Sequence, residues 1–180
     1  MRPTLLAALL LIPHSTLAYP KAGETLPSIN AHDVTDANQE LPALLANRER
    51  TLLVAITDRG GGDAMRAWFK KADQLAPASN RVSILSLDLP FFVSDNYARN
   101  KARQEVPERW WSQTLMDTDQ KLAKALDLQD SKTPYEFVLD ASGKVLASIH
   151  ANVNGPGGEA IWQALSGTAD AAIPAHDTTR

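Results

Sequence analysis

The sequence predicts an α/β fold, with a central mixed β-sheet flanked by helices on both faces. The strongest observation is a nearly unbroken apolar run at residues 52–57, which is typical of a buried strand. Three glycines follow it, and apolar residues at helical spacing come next. A second strand pattern, at residues 81–89, follows that helix. A strand, a helix and a strand in this order predict a βαβ unit with two parallel strands.

The strand–turn–helix at residues 52–76 is the segment on which the rest of the prediction depends. We expect Asp63 to cap the helix and Pro77 to end it. Gly60 to Gly62 are interpreted as a turn that needs glycine for positive φ. The alternative is an anion site at the exposed N–H groups, which Asp63 would disfavour. The apolar stripe of the helix is Met65, Trp68, Phe69, Ala72, Leu75 and Ala76.

The other elements are predicted from weaker local patterns. A helix starting at Ser94 or Asp95 and running to Glu105 is polar on almost every side, so we expect it to be a surface excursion. The strands at 135–140 and 145–150 form a hairpin. The shorter elements are two strands on either side of a turn at 36–38, a helix at 41–45, a strand at 114–116, and helices over 122–126 and 159–165.

Composition excludes several classes of function. The chain has 180 residues, a net charge of −3 and no cysteine. The small negative charge gives no reason to expect nucleic acid or an anionic membrane as a partner. The lack of cysteine excludes disulfides, thiolate metal sites and cysteine nucleophiles.

Residues 1–18 read as a secretory signal peptide. Arg2 supplies the positive charge, residues 5–12 the apolar segment, and Ala18 the small residue before the expected cleavage site. We therefore expect export to the periplasm, with secretion as an alternative, and no membrane anchor. The domain is expected at residues 19–166, followed by a flexible tail at 167–180.

Four features together resemble the thioredoxin-like superfamily, close to its secreted thiol-reductase and peroxiredoxin-like branch. They are Gly23-x-x-x-Pro27, the strand–turn–helix of residues 52–76, Thr133-Pro134 before a strand, and the closing FVLDASGKV hairpin with its following helix. The resemblance implies a thioredoxin-like fold. It also implies a cis-proline at Thr133-Pro134 beside the active site of the family.

The same resemblance aligns residues 61–64 with the Cys-x-x-Cys motif of the family. Gly61 and Ala64 then occupy the two thiol positions, so thiol oxidoreductase and peroxidase activity do not carry over. The peptide-binding surface beside the motif needs no thiol. This vestigial active-site surface comprises the candidate binding residues Arg59, Gly61, Gly62, Asp63, Ala64, Arg66, Thr133 and Pro134.

The charged and aromatic candidates have structural alternatives. The charged cluster of Asp58, Arg59, Asp63 and Arg66 could form ion pairs within itself or with a partner, or could consist of solvated surface charges. Trp110 and Trp111, with Phe91, Phe92 and Pro107, could form an apolar groove for a peptide, or at least one tryptophan could belong to the core. The histidines show no spacing of metal ligands, and no G-x-S-x-G, P-loop or dinucleotide motif is present, so no metal or cofactor is expected; the histidines considered are His32, His150 and His176.

The leading interpretation is a non-catalytic periplasmic binding or adaptor module that recognises a peptide or protein of the envelope. The alternative is an accessory component of an envelope thiol-redox or metal-handling pathway that relies on the cysteines of a partner. A non-thiol enzyme is a third class, for which the sequence offers no catalytic pair.

The export prediction is checked by mass spectrometry of the envelope fraction of producing cells. We expect a mature chain that begins at Tyr19, because cleavage after Ala18 fits the small-residue rule. Detection of a full-length product confined to the cytoplasm would contradict it.

Overall fold

The computed structural model describes residues 19–46 and 49–167, and these form a seven-stranded mixed sheet with helices on both faces. The predicted signal peptide, and the predicted tail beyond Gly167, lie outside the described residues. The strands are β1 Asn30–Asp33, β2 Asn38–Glu40, β3 Thr51–Ile56, β4 Asn80–Ser86, β5 Thr114–Asp117, β6 Tyr135–Leu139 and β7 Val145–His150. The helices are α1 Leu41–Leu45, α2 Gly62–Leu75, α3 Asp95–Glu105, α4 Lys121–Ala125 and α5 Gly158–Ser166, with 3₁₀ turns at Arg59–Gly61 and Glu108–Gln113.

The sheet has the strand order β2-β1-β5-β4-β3-β6-β7. β4 pairs in parallel with β3 and β5, and the other neighbouring pairs are antiparallel. The predicted βαβ unit is therefore confirmed as β3–α2–β4, and the predicted hairpin as β6–β7. Because α2 connects two adjacent parallel strands, its N-terminus lies at the end of the sheet where β3 and β4 finish.

The core consists of two layers, one on each face of the sheet. Alternate residues of β3 face opposite layers, so Leu53 and Ala55 pack with α1 and α4, whereas Val54 packs with α2 and α5. Trp68 fixes α2 on its layer: its side chain is fully buried, and its Nε1 donates to the carbonyl of Ala151 at 3.1 Å. This anchoring sets the position of α2 above the sheet.

Several boundaries differ from the prediction. β4 ends at Ser86 rather than at residue 89, and the segment after it leads to Ser94, which caps α3 by accepting from the Tyr97 N–H at 3.3 Å. Asp63 is not the cap of α2. The N-cap position belongs to Gly61, because a 3₁₀ turn that is itself capped by Asp58 runs directly into the helix. Within the described residues no helix has the length and apolarity to cross a bilayer.

Candidate functional site

The glycine turn lies at the end of β3 and packs closely against the sheet. Contrary to the expectation of positive φ, Gly61 has φ −77° and Gly62 has φ −59°. The reason for glycine at Gly61 is space. A Cβ at that position would lie 2.9 Å from Ile56 Cγ2 and 3.4 Å from the Lys132 carbonyl oxygen. The position that the resemblance aligns with the first thiol therefore has no room for a side chain.

The Thr133–Pro134 bond is trans, since the described residues contain no cis peptide bond. The cis-proline prediction is wrong: a proline at the start of a strand is compatible with either isomer, and trans is the lower in energy. The backbone groups of Thr133 are also used internally. Its N–H donates to Ser131 Oγ at 3.0 Å, and its carbonyl oxygen lies 3.0 Å from His150 Nε2. They do not form a free edge for pairing with a peptide backbone.

A groove with a volume of about 900 Å³ lies between α2 and α3, with β4 and β5 as its floor. Met65 and Phe69 contribute from α2, Ala98 and Ala102 from α3, and Leu85 from β4. Helix α3, which was predicted to be a polar surface excursion, therefore lines this groove with its few small apolar residues. The volume is within the range of about 300–1,000 Å³ that is typical of ligand sites.

The groove opens at the glycine turn, and some of the predicted binding residues lie along it while others do not. Those that line it are Arg59, Gly62, Asp63, Arg66 and Trp110. Gly61 and Pro134 are buried, and Ala64, Thr133 and Trp111 lie away from the lining. Trp111 is half-buried and donates from Nε1 to the Val106 carbonyl at 2.9 Å, so it supports the wall rather than forming it.

Charges of both signs surround the open end of the groove. Arg66 pairs with Asp63 on α2 and lies 3.5 Å from Glu105 of α3. All three side chains are mostly exposed, so these ion pairs contribute little to stability. They remain available to a ligand.

Two groups at the other end of the groove, beside the start of β4, were not identified from the sequence. Arg81 is only 5% exposed; its Nη1 pairs with Asp73, and its guanidinium lies 5.6 Å from the Trp110 ring centroid. Its Nε and Nη2, and Oε1 of Gln113, are buried and have no hydrogen-bond partner among the described residues. The sequence signal for Arg81 is a single charged residue near the start of a strand that carries no other charge.

Glu136 is a second buried charge that the sequence analysis did not single out. It lies in the centre of β6, opposite Val54, and is fully buried. Burial raises the pKa of its carboxyl group to about 9, although the nearby backbone amides of Ala151 and of Glu136 itself lower it. Both carboxyl oxygens lack a hydrogen-bond partner among the described residues, so neither amide is in hydrogen-bonding geometry with them. We conclude that the group is neutral at pH 7.

A metal centre is not formed by the part of the chain that the structure describes. No group of three or more histidine, aspartate or glutamate side chains in that part is placed to hold an ion. His32 instead lies 3.2 Å from Asp36, and His150 stacks on Tyr135 with 4.0 Å between ring centroids.

Comparison with solved structures identifies the fold. No protein-family model matches the chain, and no curated protein matches it. Peroxidoxin BcpB from Mycobacterium tuberculosis is similar, with a TM-score of 0.58 and 19% identity, over 82% of this chain and 97% of that one. The thiol peroxidase from Chromobacterium violaceum is similar with a TM-score of 0.57 and 17% identity, over 84% of this chain and 89% of that one. The thioredoxin domain of thiol-disulfide oxidoreductase BVU-2223 from Bacteroides vulgatus has a TM-score of 0.54 and 10% identity, over 82% of this chain and 96% of that one. These likenesses confirm the thioredoxin-like fold.

The packing of the turn predicts opposite effects for two neighbouring substitutions. Gly61→Ala is expected to lower the free energy of unfolding by about 1–3 kcal/mol, because the new Cβ collides with Ile56. Gly62→Ala is the matched control: its Cβ meets nothing closer than 3.7 Å, so stability is expected to be unchanged or raised by up to about 1 kcal/mol. Urea unfolding of both variants measures the difference, and equal stability would contradict the steric explanation.

Glu136 predicts a pH dependence of stability. Its pKa in the folded protein, about 9, is above the ordinary value of 4.5, so unfolding releases a proton between these values. Its contribution to stability is therefore complete below about pH 4.5 and is lost as the pH rises through 9, at a rate of at most about 1.4 kcal/mol per unit. Glu136→Gln lacks this titration, so its unfolding free energy should fall less between pH 5 and pH 8 than that of the wild type.

Urea unfolding at several pH values measures this dependence. The exposed Glu108→Gln variant serves as the control and should keep the wild-type slope. The same slope in the wild type and in Glu136→Gln would show that the buried carboxyl group does not titrate in this range.

Proposed function

We propose that the protein is a non-catalytic thioredoxin-fold binding module that holds an apolar segment of a peptide or protein partner in the groove between α2 and α3. The observation that carries this proposal is an apolar groove of about 900 Å³ that opens at the vestigial active-site surface of a chain without cysteine. With no thiol, the chain can form neither a mixed disulfide nor a sulfenic acid. Binding is the activity that this end of the fold can still support.

The groove, rather than the surface around Thr133 and Pro134, is the expected contact region. The backbone groups of Thr133 are bonded within the protein, and Lys132 covers the buried Gly61. Addition of a peptide strand beside Pro134 is therefore disfavoured. The α2–α3 groove needs no such free edge, because its apolar lining can bind side chains directly.

Exposed aromatic residues next to the groove support a macromolecular partner. Phe91 and Phe92 are 101% and 76% exposed, and their rings contact each other at a centroid distance of 5.5 Å. They immediately precede Val93, which lines the groove, and Tyr97 of α3 lines it while remaining 57% exposed. An exposed apolar cluster of this kind is characteristic of interaction surfaces.

The proposed setting is the periplasm, following the signal peptide predicted at residues 1–18, and the proposed partner is a peptide or protein of the envelope. An accessory role in a thiol-redox pathway would require the disulfide of a partner to approach the turn. The buried Gly61 and its close contact with Ile56 favour binding in the groove over that role.

Binding of fluorescent peptides tests the proposal. The panel consists of ten-residue peptides with charged N-terminal halves and C-terminal halves of leucine, valine or phenylalanine, measured by anisotropy against a wholly polar peptide. We expect at least one apolar peptide to bind, and Leu87→Arg to weaken its binding at least about tenfold, since Leu87 lines the groove. Leu75→Arg is the control, because Leu75 is exposed outside the groove.

Two outcomes would overturn the proposal. One is that no apolar peptide binds more tightly than the polar peptide. The other is that Leu87→Arg and Leu75→Arg bind as the wild type does. Thermal melts of both variants confirm that the comparison is made between folded proteins.

A further inference from the structure

The loop between β4 and α3 carries two exposed phenylalanines at the tip of a turn. The N–H of Val93 donates to the Pro90 carbonyl at 2.8 Å, so Phe91 and Phe92 occupy the two central positions of a β-turn. Such positions ordinarily carry glycine, asparagine, aspartate or serine. Here both rings project into solvent, and we call this pair, Phe91 and Phe92, the phenylalanine knob.

The knob is held in place by the residues on both sides of the turn. Leu89 and Val93 flank it, and both line the groove between α2 and α3. Ser94 then caps α3 by accepting from the Tyr97 N–H. Because the backbone of the loop is already ordered in this way, it loses little conformational entropy when the knob docks. The knob is therefore preorganised, and it lies on the rim of the groove.

Acidic residues flank the knob. Asp88 precedes the apolar part of the loop, and Asp95 follows it at the start of α3. Both side chains are exposed, and neither forms an ion pair within the described residues. The loop thus combines an apolar tip with two uncompensated negative charges.

The rim of the groove has an excess of the opposite charge. The acidic residues that line it are already engaged, since Asp63 and Glu105 lie against Arg66 and Asp73 pairs with Arg81. Four exposed cations of the lining form no ion pair with any other described residue: Arg59, Lys70, Lys101 and Arg109. The groove is therefore cationic at its edges although the chain as a whole has a net charge of −3.

We propose that the partner held in the groove is a second copy of this chain, with the phenylalanine knob of each copy docked between α2 and α3 of the other. A two-fold symmetric contact requires that each copy carry both complementary parts, and here the knob adjoins the groove. The rings meet the apolar lining, and Asp88 and Asp95 meet the cationic rim. The inference rests on the proposed function and names its partner.

The surface involved is large enough for a stable dimer. A phenylalanine buries about 150–250 Å², and each docked knob covers a comparable area of the lining, so two reciprocal contacts bury on the order of 1,500 Å². A specific interface typically buries about 1,600 Å². An unrelated segment in the groove would leave the knob in water, whereas a second copy covers the groove and the knob together.

Sedimentation velocity over a dilution series tests the inference. The wild type is expected to form a dimer that dissociates on dilution. The Phe91→Ser/Phe92→Ser variant should associate at least about tenfold more weakly, because it lacks the aromatic anchors. Leu75→Ser is the matched control, since Leu75 is an exposed apolar residue outside the groove and its loss should leave the dimer unchanged. All three side chains are exposed in the single chain, so the variants are expected to fold.

A mixture of two variants tests whether the knob of one copy enters the groove of the other. Phe91→Ser/Phe92→Ser keeps the groove but lacks the knob, whereas Leu87→Arg keeps the knob and blocks the groove. Neither variant forms a knob–groove contact with itself, but the mixed dimer contains one. We expect the two variants to bind each other at least about tenfold more tightly than either binds itself. A dimer of Leu87→Arg as stable as that of the wild type would overturn docking in the groove.

The contribution of charge is tested on the loop. Asp88→Lys should weaken the dimer severalfold at low salt, and this difference should shrink at high salt because the ions screen the attraction to the rim. Asp130→Lys is the matched control, since Asp130 is exposed and does not line the groove. Equal dissociation constants for both variants at low salt would overturn the charge complementarity that favours a second copy.

The outcomes distinguish this inference from the proposed function. A monomeric wild type that still binds apolar peptides would overturn the second copy as the partner and leave the groove as a site for another one. Where the dimer forms, a binding peptide of the panel should dissociate it, since both occupy the same groove; binding without dissociation would overturn the docking. A wild type that neither self-associates nor binds any peptide would overturn both proposals.

Discussion

The close approach of the glycine turn to the sheet determines the geometry of the binding end. With no side chain at Gly61, the turn lies against Ile56 and the Lys132 carbonyl, and α2 begins at the next residue. α2 is then held by the buried Trp68, which directs Met65 towards the groove. A larger residue at Gly61 would push the start of α2 outward and change the width of the groove. The feature that closes the thiol position thus also shapes the proposed binding site.

The elements that were predicted correctly are those encoded by local signals. An unbroken apolar run identified β3, an alternating pattern identified β4, helical spacing identified α2, and Ser94 marked the start of α3. The groove was not predictable in the same way, because its wall on α3 consists of small residues such as Ala98 and Ala102 in a helix that is otherwise polar. Small side chains leave a cavity only when a second helix is held at a distance, and the sequence does not specify that distance.

Neither the trans isomer of Thr133–Pro134 nor the burial of Arg81 and Glu136 could be predicted from the sequence. The cis and trans forms of a proline bond differ by only about 0.5–1 kcal/mol, so tertiary contacts can select either isomer. Here the trans form occurs with contacts of Thr133 to Ser131 and His150, which no local sequence pattern indicates. A single charged residue in a strand is equally ambiguous. It can lie at an edge, in a pocket or in the core, and only the register of Arg81 and Glu136 in the sheet distinguishes these cases.

The two buried charges differ in how their cost can be relieved. Glu136 is enclosed in the core, and its raised pKa of about 9 shows that it can remain neutral by keeping a proton. Arg81 has no such alternative, since a guanidinium does not lose its proton in proteins. Asp73 compensates one edge of the guanidinium, whereas Nε and Nη2 on the other edge are buried without a hydrogen-bond partner among the described residues, so the cost of burying this charge is only partly offset.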